Sequence, residues 1–118
     1  MWRKSEPEMD SIRLRHMRDA AQEARSFVTG ISKKEFLDDR MLALALIKEI
    51  EIIGEAAAKV SAEFRKAHTG IPWGVLIETR NRLIHGYFDL DLDLIWDSVK
   101  NDLPELLRMI KSTSRKPT

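Results

Sequence analysis

Apolar residues along this chain return every three or four positions, the period of one helix face, over almost its whole length. Met9, Ile12, His16, Met17, Ala20, Ala24 and Phe27 trace a first stripe. Ser5 with Glu8 three residues on has the spacing of a capping box, and Asp10 is a second candidate cap. Gly30 predicts a left-handed stop. Ser32 and Glu35 repeat the capping-box spacing and open a short second segment, with Asp38 or Asp39 able to restart the chain.

From Met41 to Val60 the pattern becomes apolar on more than one side (Leu42, Leu44, Leu46, Ile47, Ile50, Ile52, Ile53, Ala56, Ala57, Val60), which predicts a helix buried on several faces, a partner surface among them. Gly54 in its middle costs about 1 kcal/mol relative to alanine, so its place there points to close approach by another helix. Residues 61–67 read as a short helical turn and His68-Thr69-Gly70 as a loop. Pro72 suits the first turn of the next helix, where its missing N–H is not needed. Trp73, Leu76, Ile77, Leu83 and Ile84 supply that helix's apolar stripe, and Gly86 is its expected end. The alternation Phe88-Asp89-Leu90-Asp91-Leu92-Asp93 imitates a strand, but it stands directly before Leu94, Ile95, Trp96, Val99, Leu103, Leu106, Leu107 and Ile110, a helical pattern. Its aspartates are therefore read as N-terminal caps rather than metal ligands, because no glutamate follows at calcium-loop spacing. Pro104 should disturb the last helix, and the polar, basic tail from about residue 111 should fray. The expected fold is all-α: one domain over 1–118, an antiparallel bundle of four main helices plus short helical segments.

Composition narrows the function classes. With 43% hydrophobic and 33% charged residues the chain should fold. Its 20 basic and 19 acidic residues leave a net charge of +1, so it cannot coat nucleic acid by bulk electrostatics, and any RNA contact must be a local patch. Without cysteine there is neither disulfide nor thiolate site, and His16, His68 and His85 have no zinc spacing. No metal and no cofactor are expected. The start, MWRKSEPEMD, carries no signal-peptide run and no stretch is apolar enough to span a bilayer, so a cytoplasmic location is expected.

The chemistry concentrates in Arg80-Asn81-Arg82-Leu83-Ile84-His85-Gly86-Tyr87. Arg80 is a forked, permanent cation that fits a phosphate. His85 is the side-chain type that exchanges protons near neutrality. Asn81 adds a neutral donor and acceptor, and Tyr87 a phenol. Five residues of regular helix turn through roughly 500°, so Arg80 and His85 would diverge by about 140°. They can meet on one phosphate if the helix breaks near His85, or if a second copy of the chain supplies the missing partner. A chemical count favours the second. Cleavage of RNA by its own 2′-hydroxyl needs a base, an acid and positive charge at the phosphoryl oxygens, and a two-fold pair of chains offers two Arg and two His from one patch. Glu51 and Glu55, one helical turn apart, are candidates to orient Arg80 from behind. His68 is expected to be solvated, His16 to lie in the core or an interface, and Trp2, Trp73 and Trp96 to serve packing. A polar surface helix without chemistry is the plain alternative for the whole segment.

The strings RLRHM at 13–17, EIIGEAA at 51–57, IPW at 71–73, RNRLIHGYF at 80–88 and DLPEL at 102–106, in that order from about Asp10 to Ile110, resemble the HepT-like branch of the HEPN superfamily. The diagnostic element is an Arg, then four to six residues, then His, with a polar residue after the Arg and a Tyr two beyond the His. Arg80, Asn81, His85 and Tyr87 match all four positions. The resemblance implies the toxin of a type VII toxin–antitoxin pair: a metal-independent endoribonuclease whose Arg and His motifs meet between two subunits. In it Arg80 would hold the scissile phosphate, His85 transfer protons and Asn81 position the two. It also implies a partner, an MntA-like nucleotidyltransferase antitoxin that silences the toxin by AMPylation of Tyr87. The alternative class is a non-catalytic helical module that binds a nucleotide or a partner protein through the same cleft.

Overall fold

A computed structural model describes residues 6–85 and 90–114. Within them the chain is all-helical: α1 (Glu6–Phe27), α2 (Lys33–Leu37), α3 (Arg40–Lys59), α4 (Ala62–Ala67), α5 (Trp73–Ile84), α6 (Leu92–Asp97), a π turn (Ser98–Asp102) and α7 (Leu103–Ser114). Because α6, the π turn and α7 run on without a break, four long helical rods and two short helices make the bundle, as the periodicity predicts.

Local chemistry explains most boundaries. Gly30 takes φ 76 after α1, a conformation that glycine adopts without a Cβ clash. Ser32 and Glu35 form the reciprocal capping box at α2, and Asp39 accepts the Leu42 N–H to begin α3. Asp91 does the same for α6 through the Leu94 N–H, so this member of the acidic run is a cap; Asp89, like Ser5 and Gly86, lies outside the described residues. Pro72 serves as the N-cap of α5, one position before the first turn.

Pro104 has an effect other than a simple kink. A proline here removes the N–H that would reach the Lys100 carbonyl and crowds that carbonyl with its ring. The chain widens into the π turn just upstream, where the Leu103 N–H bonds to the Ser98 carbonyl. The expected fraying does not set in directly after Ile110: α7 continues to Ser114, with the Thr113 hydroxyl donating to the Met109 carbonyl, and the rest of the tail, 115–118, lies outside the described residues.

The core is a seam of Met17, Ala20, Ala21 and Ala24 from α1, Leu46, Ile50, Ile53 and Ala57 from α3, Leu76 and Leu83 from α5, and Ile95, Val99, Leu103 and Leu106 beyond. Small residues on α1 let α3 come close. Asp10, proposed as a cap for its own helix, is instead a buried brace for another. Its carboxylate accepts from the Ser61 N–H at 2.8 Å and the Ser61 hydroxyl at 2.6 Å, and that hydroxyl caps α4 by accepting from Phe64 N–H. With Glu49 of α3 against Glu23 of α1 at the other end, this fixes α1 and α3 antiparallel.

His16 does not lie in the core, and the expectation that His68 is solvated is corrected. His16 is exposed, because the buried stripe Asp10, Leu14, Met17, Ala20/Ala21, Ala24 passes one position to its side. His68 is half-buried, its ring stacked on Phe64 with centroids 3.9 Å apart and its Nδ1 3.0 Å from the Phe64 carbonyl. Trp73 is a packing residue, and its indole N–H donates to the His68 carbonyl at 3.0 Å. Trp96 packs on Phe36.

Glu49 is almost fully buried, and its Oε2 finds no hydrogen-bond partner among the described residues. Burial first, and then its hydrogen bond to the Glu23 carboxylate and that group's charge, push the Glu49 carboxyl up to about 7. The folded state therefore holds a proton that the unfolded chain releases near its ordinary value of 4.5. Stability is full below that value and falls as pH rises through about 7. Glu49→Gln should flatten this slope and raise the melting temperature above pH 7, checked by thermal melts at several pH values. A variant as pH-sensitive as the parent would show that Glu49 is not the titrating group.

Candidate active site

Helix α5 presents one face to α3. Leu76, Thr79 and Leu83 are buried on it, and Arg80, one turn after Leu76, lies where α3 offers a glycine instead of a side chain. A Cβ built on Gly54 would stand 2.3 Å from Arg80 Cβ, 2.7 Å from its Cγ and 3.1 Å from the Leu76 carbonyl oxygen. The expected role of Gly54 in close helix approach is thus met at Arg80 itself.

The guanidinium is tied at two places. Nη1 donates to the Asn81 side-chain oxygen at 2.9 Å, and Nη2 lies 3.7 Å from Glu55 Oε1. Nε is buried with no acceptor among the described residues, an arrangement that costs about 1–3 kcal/mol for a buried donor. The Arg80 side chain is 29% exposed and Glu55 56%, so their attraction is of the weak, solvent-screened kind, about 0–1 kcal/mol. A phosphate can compete for the same cation. Of the two acids considered beside Arg80, Glu55 makes this ion pair; Glu51 lies 3.9 Å from Lys48 Nζ.

His85 ends α5 as an exposed cap with φ −87 and ψ 0, its N–H reaching the Asn81 carbonyl. The helix runs unbroken from Arg80 to Ile84, the residue before this cap, so the rotation per residue turns Arg80 and His85 apart. Tyr87 lies outside the described residues. The segment that contains it is bracketed by Arg82 of α5 and the α6 cap Asp91, with Nη2 and Oδ2 3.4 Å apart. Sequence reasoning missed that tie: a charge pair nine residues apart has no periodic signature.

A groove of about 620 Å³ opens between α1, α4 and α7 over Leu14, Phe64 and Ile110, and neither Arg80 nor His85 lines it. Among the described residues no group of His, Asp and Glu could hold a metal ion, and no helix is long and apolar enough to cross a membrane.

Residues 17–113 match the family described as "Ribonuclease HepT-like". The chain is similar to a protein named "Probable ribonuclease HepT" from Thermococcus cleftensis, 36% identical over 79% of this chain and 84% of the relative. It is also similar to a protein of Caldanaerobacter subterraneus subsp. tengcongensis named as a putative RNase, 37% identical over 75% and 80% of the two chains, and to one so named in Methanocaldococcus jannaschii, 34% identical over 79% and 85%. No solved structure matches. The match covers α3, α5 and the Arg80–His85 motif, and the chain belongs to the HepT-like ribonuclease family of the HEPN superfamily.

Proposed function

We propose that this member of a ribonuclease family is a metal-independent endoribonuclease toxin whose site is completed by a second copy of the chain. The observation that carries the reading is the helix that runs unbroken from Arg80 to Ile84, with His85 as its cap. On a regular helix the two groups diverge by about 140°, which supports a two-fold neighbour supplying the other. The helices of the site also leave apolar side chains uncovered. Met41 and Leu44 on α3 and Val75 on α5 are large apolar side chains left exposed, Met41 by 76%, on the helices that carry Glu55 and Arg80.

In this reading the imidazole of one His85 takes the proton from the RNA 2′-hydroxyl. The 2′-oxygen then bonds to phosphorus, and the bond from phosphorus to the 5′-oxygen breaks. The imidazolium of the second His85 returns a proton to that leaving oxygen. Arg80 binds the phosphoryl oxygens as their charge grows, and Asn81 holds the guanidinium plane. The products are a 2′,3′-cyclic phosphate and a 5′-hydroxyl. Purified protein should therefore cut RNA with EDTA present and leave those ends; dependence on a divalent ion would remove this mechanism.

Control belongs to the same proposal. A nucleotidyltransferase antitoxin would transfer AMP from ATP to the Tyr87 oxygen, forming the bond from that oxygen to the α-phosphorus and releasing pyrophosphate. The added negative charge and bulk, seven residues beyond Arg80 and two beyond His85, would compete with RNA for the Arg80 cation and block the cleft. Intact mass after co-expression should rise by one or more AMP units, and the rise should vanish in Tyr87→Phe. A second reading, a nucleotide-binding module without turnover, draws on the net charge of +1 and on the guanidinium being already held by its own chain. It predicts Arg80-dependent binding by calorimetry and no RNA product.

A further inference from the structure

We propose that Gly54 and Glu55 act together as the seat of Arg80, positioning residues for the cleavage reaction. This rests on the reading of Arg80 as the phosphate anchor. The two are consecutive on α3 and address different parts of one side chain. Gly54 lies against the stem: the atoms a Cβ would strike are Arg80 Cβ and Cγ and the Leu76 carbonyl. None is the free end of a flexible chain, so no change of rotamer at Arg80 relieves the closest contact and α5 itself must shift. Glu55 faces the head, with Oε1 3.7 Å from Nη2 while Asn81 takes Nη1. The stem is thereby set by shape and the head by charge. A shift of α5 moves Arg80 away from its partner groups, and displacements of about 1 Å at a reacting centre lower rates by about a hundredfold.

Glu55 has a second consequence. It is the anion already beside the cation that RNA must reach, so phosphate binding displaces it. Its removal should weaken orientation and competition at once, lowering kcat and KM together, a pattern that loss of packing does not produce.

The test is a set of cycles in the full-length protein, measuring RNA cleavage with EDTA, KM and melting temperature. The variants are Gly54→Ala, Glu55→Ala, Arg80→Ala and each of the first two combined with Arg80→Ala. Gly54→Ala should lower kcat by about tenfold to a hundredfold. Exposed Glu55 can be replaced without loss of fold, and Glu55→Ala should lower kcat by about threefold or more with a lower KM. Glu55→Ala should not slow the Arg80→Ala protein further, because it acts through a guanidinium that is no longer there, whereas Gly54→Ala, which still meets a Cβ at position 80, should cost a smaller factor there than in the parent. Gly74→Ala, on α5 with open space around the new methyl, should cleave like the parent. If folded Gly54→Ala has the parental rate, or if either substitution costs the same factor in the Arg80→Ala background, the seat is wrong and Gly54 serves packing alone. Should Gly54→Ala fail to fold, Glu55→Ala decides by the same criteria. An Arg80→Ala protein with parental activity would overturn the underlying function instead, so the two failures are distinct.

Discussion

Arg80→Ala and His85→Ala should each slow RNA cleavage by about two to four orders of magnitude, while the proteins remain folded. His85 is exposed and caps α5 through its backbone N–H, which alanine retains, so its melting temperature should barely move. Arg80 loses a hydrogen bond to Asn81 and a weak ion pair to Glu55, a modest change partly offset because a buried Nε without an acceptor goes with it. The informative step is to mix the two inactive proteins. A chain with only its imidazole, paired with a chain with only its guanidinium, rebuilds a site with one base and one cation on facing subunits, lacking only the second His85 that protonates the leaving oxygen. Partial recovery on mixing, to a rate above either inactive protein alone and below the parent, read after subunit exchange, is the expected result. If each chain needs its own Arg80 and His85, the mixture stays inactive, because neither chain carries both. A parental rate in either single variant would remove the assigned chemistry altogether.

What could be read in the sequence follows the range of each interaction. Helices and caps are local, so Ser32–Glu35, Gly30 and Asp39 stand where their spacing puts them. The stripe on α1 was legible at Met17, Ala20 and Ala24, which are buried, but not at its edges: His16 differs from Met17 by one residue, about 100° of rotation, and the period alone could not fix on which side the buried face ended. Asp10 and Ser61 are 51 residues apart, and no one-dimensional pattern pairs them. The motif itself was legible because Arg, Asn and His fall within one short helix. Its support was half legible. Gly54 announced a close approach, but that the approaching group is the stem of Arg80 depends on how α3 and α5 cross. Glu49 showed no signal at all, since a glutamate among isoleucines looks like the polar edge of a helix until α1 closes over it.

Phe36→Ala should cost the largest share of stability of any single change outside the motif. The ring is fully buried although α2 is only five residues long, so this side chain is the main apolar anchor of that helix. It meets Trp96 of α6 with ring centroids 5.1 Å apart, joining α2 to the rod that follows the motif. Truncation of a buried phenylalanine costs about 3–5 kcal/mol, a large part of the total stability usual for a domain, about 5–15 kcal/mol. At about 4 °C or more per kcal/mol for a chain near this size, the melting temperature should drop by roughly 15 °C. Phe36→Leu, which keeps most of the apolar volume, should recover much of the loss. The effect reaches the site only indirectly. Phe36, Leu90 and Leu92 border one cavity, and α6 starts at a cap held by Arg82 of α5. Loosening α2 therefore loosens the far anchor of the segment after His85 while leaving Arg80 in its seat on α3. Cleavage measured well below the melt should accordingly fall far less than in Arg80→Ala. Should Phe36→Ala melt within a few degrees of the parent, α2 is not anchored through this ring. If it melts early and also loses activity as completely as Arg80→Ala at low temperature, α2 and α6 hold the catalytic groups directly, and the division between a structural end and a catalytic face of the bundle has to be redrawn.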